Sequence, residues 1–240
     1  MGPLSISRRR RTLGAVVAAL GGLSVVPAVV DAATSPKQSL ATILAAARAQ
    51  KSVHYVADAT DGSFHTTFVS DVGATSGIQR ITYTSGGITG KVTVLVSNGT
   101  GYLRGDAFTL REFMGFKAAP SAKFAGKWVK VPHADRDYAA LTEAVTLPST
   151  IDELRLSGPL AFLPTLTLGG QKVFGVRGKT ISKQPAQADV YASAQGAPLP
   201  VGEVEKFGNV ASRTRFSAWN EQVHVVVPAQ AVAIATTGLE

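Results

Sequence analysis

The pattern of apolar and polar residues divides the chain into helical and extended stretches. In "TSPKQSLATILAAARAQKS", Leu40, Ile43, Leu44 and Ala47 recur at helical spacing, with Ser35 placed to cap and Pro36 at the first helical position. The pattern then switches to alternation. "VHYVADATDGSFHTTFV" carries Asp61-Gly62 between two alternating segments, which predicts a hairpin. With a two-residue turn, Tyr55 faces Phe68 and Ala59 faces Phe64 on an apolar side. The other side is wet and holds His54, Asp58, His65 and Thr67, with His65 opposite Asp58. "KVTVLVSNGTGYLRGD" repeats the design about Asn98-Gly99. Val92, Val94, Val96 and Leu103 share its apolar face, and Lys91 and Asp106 are opposite partners.

The middle of the chain changes period. "DAFTLREFMGF" predicts a short helix with Leu110, Phe113 and Met114 on one side, and "DRDYAALTEAV" and "PSTIDELRLSGPLAFL" predict further helices. Before those two, "AGKWVKVP" alternates as a strand, with Val129 and Val131 on one face and Trp128 and Lys130 on the other. After Gly169-Gly170 the pattern predicts five more strands, in "QKVFGVRGKTI", "ADVYASAQ", "VGEVEKFG", "ASRTRFSAW" and "EQVHVVVP", with a hairpin at Gly208-Asn209. Residues 229–240 are expected to be a mobile tail. Because nearly all connections are short, the sheet should be antiparallel. The expected fold class is α+β: a single curved antiparallel β-sheet, a half-barrel of about ten or eleven strands, with helices packed on its concave face.

The N-terminus adds a compartment. Arg8 to Arg11 form a basic region, an apolar run extends from Leu13 to Val30, and Val30-Asp31-Ala32 offers small residues for cleavage. Residues 1–32 therefore read as a secretory signal peptide, with an uncleaved anchor helix as the alternative. Cleavage after Ala32 takes four arginines and one aspartate from the 24 basic and 16 acidic residues, which leaves a net charge of +5. That excess suits loose attraction to anionic envelope surfaces, while its scatter along an exported chain argues against nucleic acid.

Candidate chemistry is sparse. The sequence contains no cysteine, which excludes a disulfide framework, a thiolate metal site and a cysteine nucleophile. It has no G-x-S-x-G elbow, H-E-x-x-H motif, phosphate-binding Gly-rich loop or EF-hand loop. His133, Asp135 and Asp137 have metal-like spacing, but Asp135 or Asp137 capping the helix that begins at Tyr138 is the simpler reading. Asp152 and Glu153 point to different sides of a helix and make no glycosidase pair. No catalytic residue, metal site or cofactor is expected.

What remains is apolar surface. Tyr55, Phe64, Phe68, Val92, Val94 and Leu103 come from the sheet, Val129 from the strand after Trp128, and Phe113, Met114, Phe116, Leu160 and Phe162 from the helical insert. This set is either an ordinary core or the lining of a ligand cavity under an incompletely filled curved sheet. The residues alone leave both open.

Taken in order, the motifs resemble the LppX/LprG group of actinobacterial envelope lipoproteins, within the LolA-like superfamily. The similarity is carried by "ATILAAARAQKSVHY", "VLVSNGTGYLRGD", "AGKWVKVP", "GAPLPVGEVE" and "FSAWNEQVHVVVP", and covers about residues 38–228, within a domain placed at 33–228. The resemblance implies a U-shaped antiparallel half-barrel with helices across its concave side, and an apolar cavity holding acyl chains. It implies a monomeric, non-enzymatic carrier of a lipid or glycolipid, without cofactor, making transient contact with a membrane surface or an envelope transporter. One departure is clear: the group's acylated cysteine is missing, so the expected form is a carrier without that anchor. A similar half-barrel in RseB-like regulators of envelope stress gives an alternative, a sensor or regulatory interaction protein.

Overall fold

The computed structural model describes residues 34–182 and 184–234, so the expected signal peptide, residues 1–32, and the end of the expected tail lie outside the described residues. The first helix, α1 (Pro36–Arg48), begins as its sequence dictates. Ser35 Oγ accepts from the Gln38 N–H at 3.2 Å and the Ser35 N–H donates to Gln38 Oε1 at 3.0 Å, a reciprocal capping box with Pro36 in the first turn. Its apolar stripe, Leu40, Ile43, Leu44 and Ala47, is buried. A Leu or Ile so buried contributes roughly 1.5–3 kcal/mol.

Five strands follow as a meander: β1 (Ser52–Thr60), β2 (Phe64–Gly73), β3 (Ser76–Ser85), β4 (Ile88–Ser97) and β5 (Thr100–Gly105). After α2 (Ala107–Glu112) and α3 (Ala118–Phe124) comes β6 (Val129–Pro132), which pairs with β5. The chain then runs through α4 (Tyr138–Leu141) and α5 (Leu147–Glu153) into a second meander. Its strands are β7 (Leu156–Leu168), β8 (Gln171–Thr180), β9 (Gln187–Ser193), β10 (Pro200–Phe207) and β11 (Val210–Ser217). β11 closes back on β1, and a two-residue β12 (Val232–Ala233) lies parallel beside β6. The result is one open 12-stranded sheet, antiparallel except at β12, in the order β12-β6-β5-β4-β3-β2-β1-β11-β10-β9-β8-β7. The expected α+β half-barrel is therefore the observed fold, with one strand more than the upper expected count.

Two hairpin registers test the pattern reading. Around Asn98-Gly99 both turn residues have positive φ (47° and 74°), Val94 pairs with Leu103, and the Asp106 N–H bonds the Lys91 carbonyl, as the alternation required. The first hairpin is longer than a two-residue turn. Asp61 Oδ1 accepts from the N–H groups of Ser63 (2.8 Å) and Phe64 (3.0 Å), and Thr60 pairs with His65. This Asx-type loop moves Phe68 opposite Ala57 and Ser70 opposite Tyr55, a slip of two that keeps every residue on its expected face.

Three expected elements are corrected. "LRLSGPLAFL" is not helical: from Leu156 it belongs to edge strand β7, where Pro159 and Pro164 are tolerated because the strand has only one neighbour and its pairing is bulged. Its apolar residues mimicked helical spacing because the bulges break strict alternation. "EQVHVVVP" (221–228) forms no strand: Ala218 and Asn220 take positive φ (50° and 68°) just before it, and both sides of β11 are already paired. The expected tail is docked in part, since Val232 and Ala233 pair with β6 and Ile234 is buried.

Candidate functional site

Because β6 and β7 lie near opposite edges of the sheet, the segment 133–155 has to cross the concave face, and it does so together with α1. Leu147, Ile151 and Leu154 from the crossing pack with the α1 stripe, with Val53, Tyr55 and Ala57 of β1, and with Val176, Val190 and Phe216 from the second meander. The crossing backbone comes unusually close to the sheet. A Cβ on Gly77 would lie 2.0 Å from the Val145 carbonyl oxygen, and one on Gly101 would lie 2.9 Å from Thr142 Cγ2. Only glycine permits such an approach.

Tyr55 fixes this crossing. Its hydroxyl donates to the carbonyl of Ala144 at 2.8 Å and accepts from Gln79 Nε2 at 2.6 Å, and Thr150 Oγ1 donates to the same carbonyl at 3.1 Å. Ala144 itself has φ 56°, a left-handed conformation that a non-glycine residue adopts at a cost and that these bonds over-determine. Burial pushes the Tyr55 phenol up to about 12, despite the hydrogen bond from Gln79 that favours the ionised form. Tyr55 thus serves as a buried lock at the centre of the concave face.

The hairpin-tip end of the same face is built differently. Phe64 and Phe68 of β2, Tyr83 of β3, and Phe108, Phe113 and Met114 of the α2 region are all half-buried. Tyr83 is the hub, with ring centroids 6.0 Å from Phe64, 5.9 Å from Phe108 and 5.3 Å from Phe113, while Phe68 is 6.2 Å from Phe113. α2 is held against β4 by its cap: Asp106 accepts from the N–H of Thr109 at 2.7 Å and from the N–H of Lys91, and Gly90 leaves room for the Thr109 hydroxyl. Burial raises the Asp106 pKa, but those hydrogen bonds outweigh it and hold the carboxyl below its ordinary range. Beside this aromatic mouth, an open groove of about 330 Å³ runs between the β1–β2 and β3–β4 tips, lined by Phe64, Ser63, Thr84 and Gly86 among others.

The twelve nominated lining residues therefore divide. Phe64, Phe68, Phe113 and Met114 come together at the mouth. Val92 and Val94 are fully buried under Val145, and Leu103, Phe116 and Val129 form a separate buried cluster with Leu110, Val131 and Ile234. Tyr55 is buried at the centre. Leu160 packs against the central core and Phe162 is 46% exposed, both on β7 rather than on a helix. Sequence reasoning missed Tyr83 and Phe108. Tyr83 was legible, since it alternates with Ile81 in "RITYTS"; Phe108 and Phe113 do not share a helical face, and meet the same ring because the chain leaves α2 at Phe113.

The far face follows expectation in part. His54 Nδ1 is 2.7 Å from Asp71 Oδ1, Thr67 donates to Asp58 at 2.8 Å, and His65 reaches Asp58 diagonally at 3.4 Å. It is not wet throughout, since Leu95 and Tyr102 pair across β4 and β5 and are buried. In "HADRD", Asp137 stands at the N-cap of α4 without a side-chain capping bond, and Asp135 instead accepts from the Asp137 N–H at 3.0 Å. Capping as expected gives way to an Asx turn. Among the described residues no group of three or more His, Asp or Glu converges as metal ligands do. Trp128 is half-buried in the phase opposite Val129 and Val131, and its carbonyl accepts from the Val232 N–H at 2.9 Å.

An open antiparallel half-barrel, with α1 and a crossing segment filling the centre of its concave face and an aromatic mouth at one end, defines the class of this protein. Two solved structures share the overall fold. LprF from Mycobacterium bovis is 16% identical, with 81% of this chain and 97% of that chain covered and a TM-score of 0.53. The Mycobacterium tuberculosis lipoprotein LppX is also 16% identical, with 80% and 100% covered and a TM-score of 0.50. The resemblance to the LppX/LprG group is thus shown at the level of the fold. No protein-family model matches the sequence, and no curated protein matches it.

Proposed function

We propose that this protein is an exported lipid-binding carrier of the cell envelope that receives acyl chains at the aromatic mouth. The observation that carries the reading is the set of half-buried rings on Phe64, Phe68, Tyr83, Phe108 and Phe113, gathered at the hairpin-tip end of the concave face. A domain normally buries such a set completely, and clustered apolar rings left partly open mark a ligand or membrane contact. Behind the mouth lie Ile81, Val92 and Val94, which offer aliphatic walls to a chain entering there. Residues 1–32 direct export and are removed, and without a cysteine to acylate the carrier works as a monomer that meets membranes transiently. Among the described residues no helix is long and apolar enough to cross a membrane. No catalytic group and no cofactor enter this reading.

Binding of a fluorescent fatty-acyl probe tests it. Saturable uptake by the parent protein, weakened at least about tenfold by Phe113→Ala combined with Tyr83→Ala, is the expected result, on the scale of two lost aromatic contacts. Native mass spectrometry of protein purified from its own host should show extractable lipid. Lipid-free protein that also ignores the probe would overturn the proposal.

A further inference from the structure

From Phe113 to Ala134 the chain carries Lys117, Lys123, Lys127 and Lys130 and not one Asp or Glu. All four lysines are exposed, and among the described residues none of them forms an ion pair. Two are drawn to one ring, with Lys123 Nζ and Lys127 Nζ 5.4 Å and 5.5 Å from the Phe124 centroid. The neighbouring acids are occupied elsewhere. Asp106 caps α2, Glu112 is held by Arg111 at 2.6 Å, and Asp135 lies in the turn beyond the opposite end of β6. The basic segment sits beside the mouth, because α3 packs on α2 and the Gly126 N–H bonds the Gly105 carbonyl at the end of β5. Trp128 lies half-buried within it, and Ile88, at the adjacent hairpin tip, is 57% exposed.

We infer that the surface formed by α3, the start of β6 and the β3–β4 tip docks on an anionic lipid bilayer. The partner's chemistry follows from the groups present. Flexible, exposed lysine ammoniums with no acidic partner among the described residues suit a dense field of phosphates. An indole and an exposed branched side chain beside them suit the headgroup boundary, where amphipathic rings settle. Docked in this way, the aromatic mouth faces the bilayer. The docking itself does not depend on what the mouth carries, so vesicles tested without any acyl probe separate the two proposals.

The test uses the chain from residue 33, which holds every described element, and vesicles of phosphatidylglycerol mixed about equally with phosphatidylcholine. The parent should bind these vesicles, lose binding as salt is raised, and ignore pure phosphatidylcholine. Combining Lys117→Gln, Lys123→Gln, Lys127→Gln and Lys130→Gln should weaken binding about a hundredfold. The matched set Lys172→Gln, Lys179→Gln, Lys206→Gln and Arg213→Gln, on the second meander, should change it less than about threefold. With Trp219→Phe as background, Trp128 emission should shift to the blue on binding, and circular dichroism should show both quadruple variants folded. Equal loss in the two sets would reduce the effect to net charge and overturn the inference. So would absence of binding by the parent, or patch-dependent binding to polyglutamate without binding to vesicles, which would assign the surface to an acidic protein.

Discussion

The centre and the mouth of the concave face are built on the same strands and the same alternation, yet one is closed and the other is not. On β3, Gly77 lies beneath a backbone crossing so close that a methyl group has no place, while six residues on Tyr83 stands only half-buried among aromatic rings. The difference comes from what covers each region. A chain segment that must travel from β6 to β7 fills the centre, and a short helix held by one aspartate leaves the mouth ajar. In the proposed carrier, cargo would begin at the mouth, and the centre would open only if the crossing moves.

The sharpest way to break the contrast is Gly77→Ala. Its new methyl group meets a backbone oxygen, which cannot swing aside, so a loss of about 3 kcal/mol or more is expected in urea denaturation, at the top of the range for overpacking. High pH should come next. The Tyr55 phenol is raised above its ordinary value of 10.0 to about 12, so the folded state keeps a proton that the unfolded state loses. Stability contributed by Tyr55 is complete below pH 10 and declines as pH rises towards 12, by roughly 2–3 kcal/mol at most. Tyr55→Phe should remove most of that decline in denaturation curves recorded across the window, leaving the smaller upward shifts of Tyr138 and Tyr191, which burial causes.

At the mouth, Gly90→Ala provides the counterpart to Gly77→Ala. Its methyl group would meet the Thr109 hydroxyl at 2.2 Å and the Asp106 carboxylate, side-chain atoms that can yield, so about 1–2 kcal/mol is expected. The two variants should also differ in kind: Gly90→Ala should alter uptake of an acyl probe by shifting α2, whereas Gly77→Ala should show its effect in stability. The smallest effect belongs to the far face. His54→Ala, which removes a half-exposed pair with Asp71, should cost no more than about 0.5–1 kcal/mol in the same assay and leave probe binding unchanged.

Much of this was legible along the chain. The α1 cap and stripe, the Asn98-Gly99 hairpin, the alternation of Val129 and Val131 against Trp128, and the antiparallel half-barrel follow from local rules about period, turn chemistry and short connections. Errors arose where locality ends. Leu160 and Phe162 matched a helical spacing that β-bulges had produced, and Val223, His224 and Val225 alternate like a strand although both sides of the preceding β11 are already paired. Of the twelve nominated residues, four met at the mouth, because apolarity marks a residue for the concave face without saying what will lie over it.

Local alternation alone fixes which side of β1, β2, β4 and β5 turns inward, since a pleated chain sends neighbours to opposite faces. The sequence also determined the charge of 113–134 and the absence of a thiol. The division of those inward residues into a lock at Tyr55 and a mouth around Tyr83 arises only when distant segments meet. That outcome depends on the path of residues 133–155 across the sheet, which is set by strand order, and strand order is a relation between distant segments that no local pattern encodes.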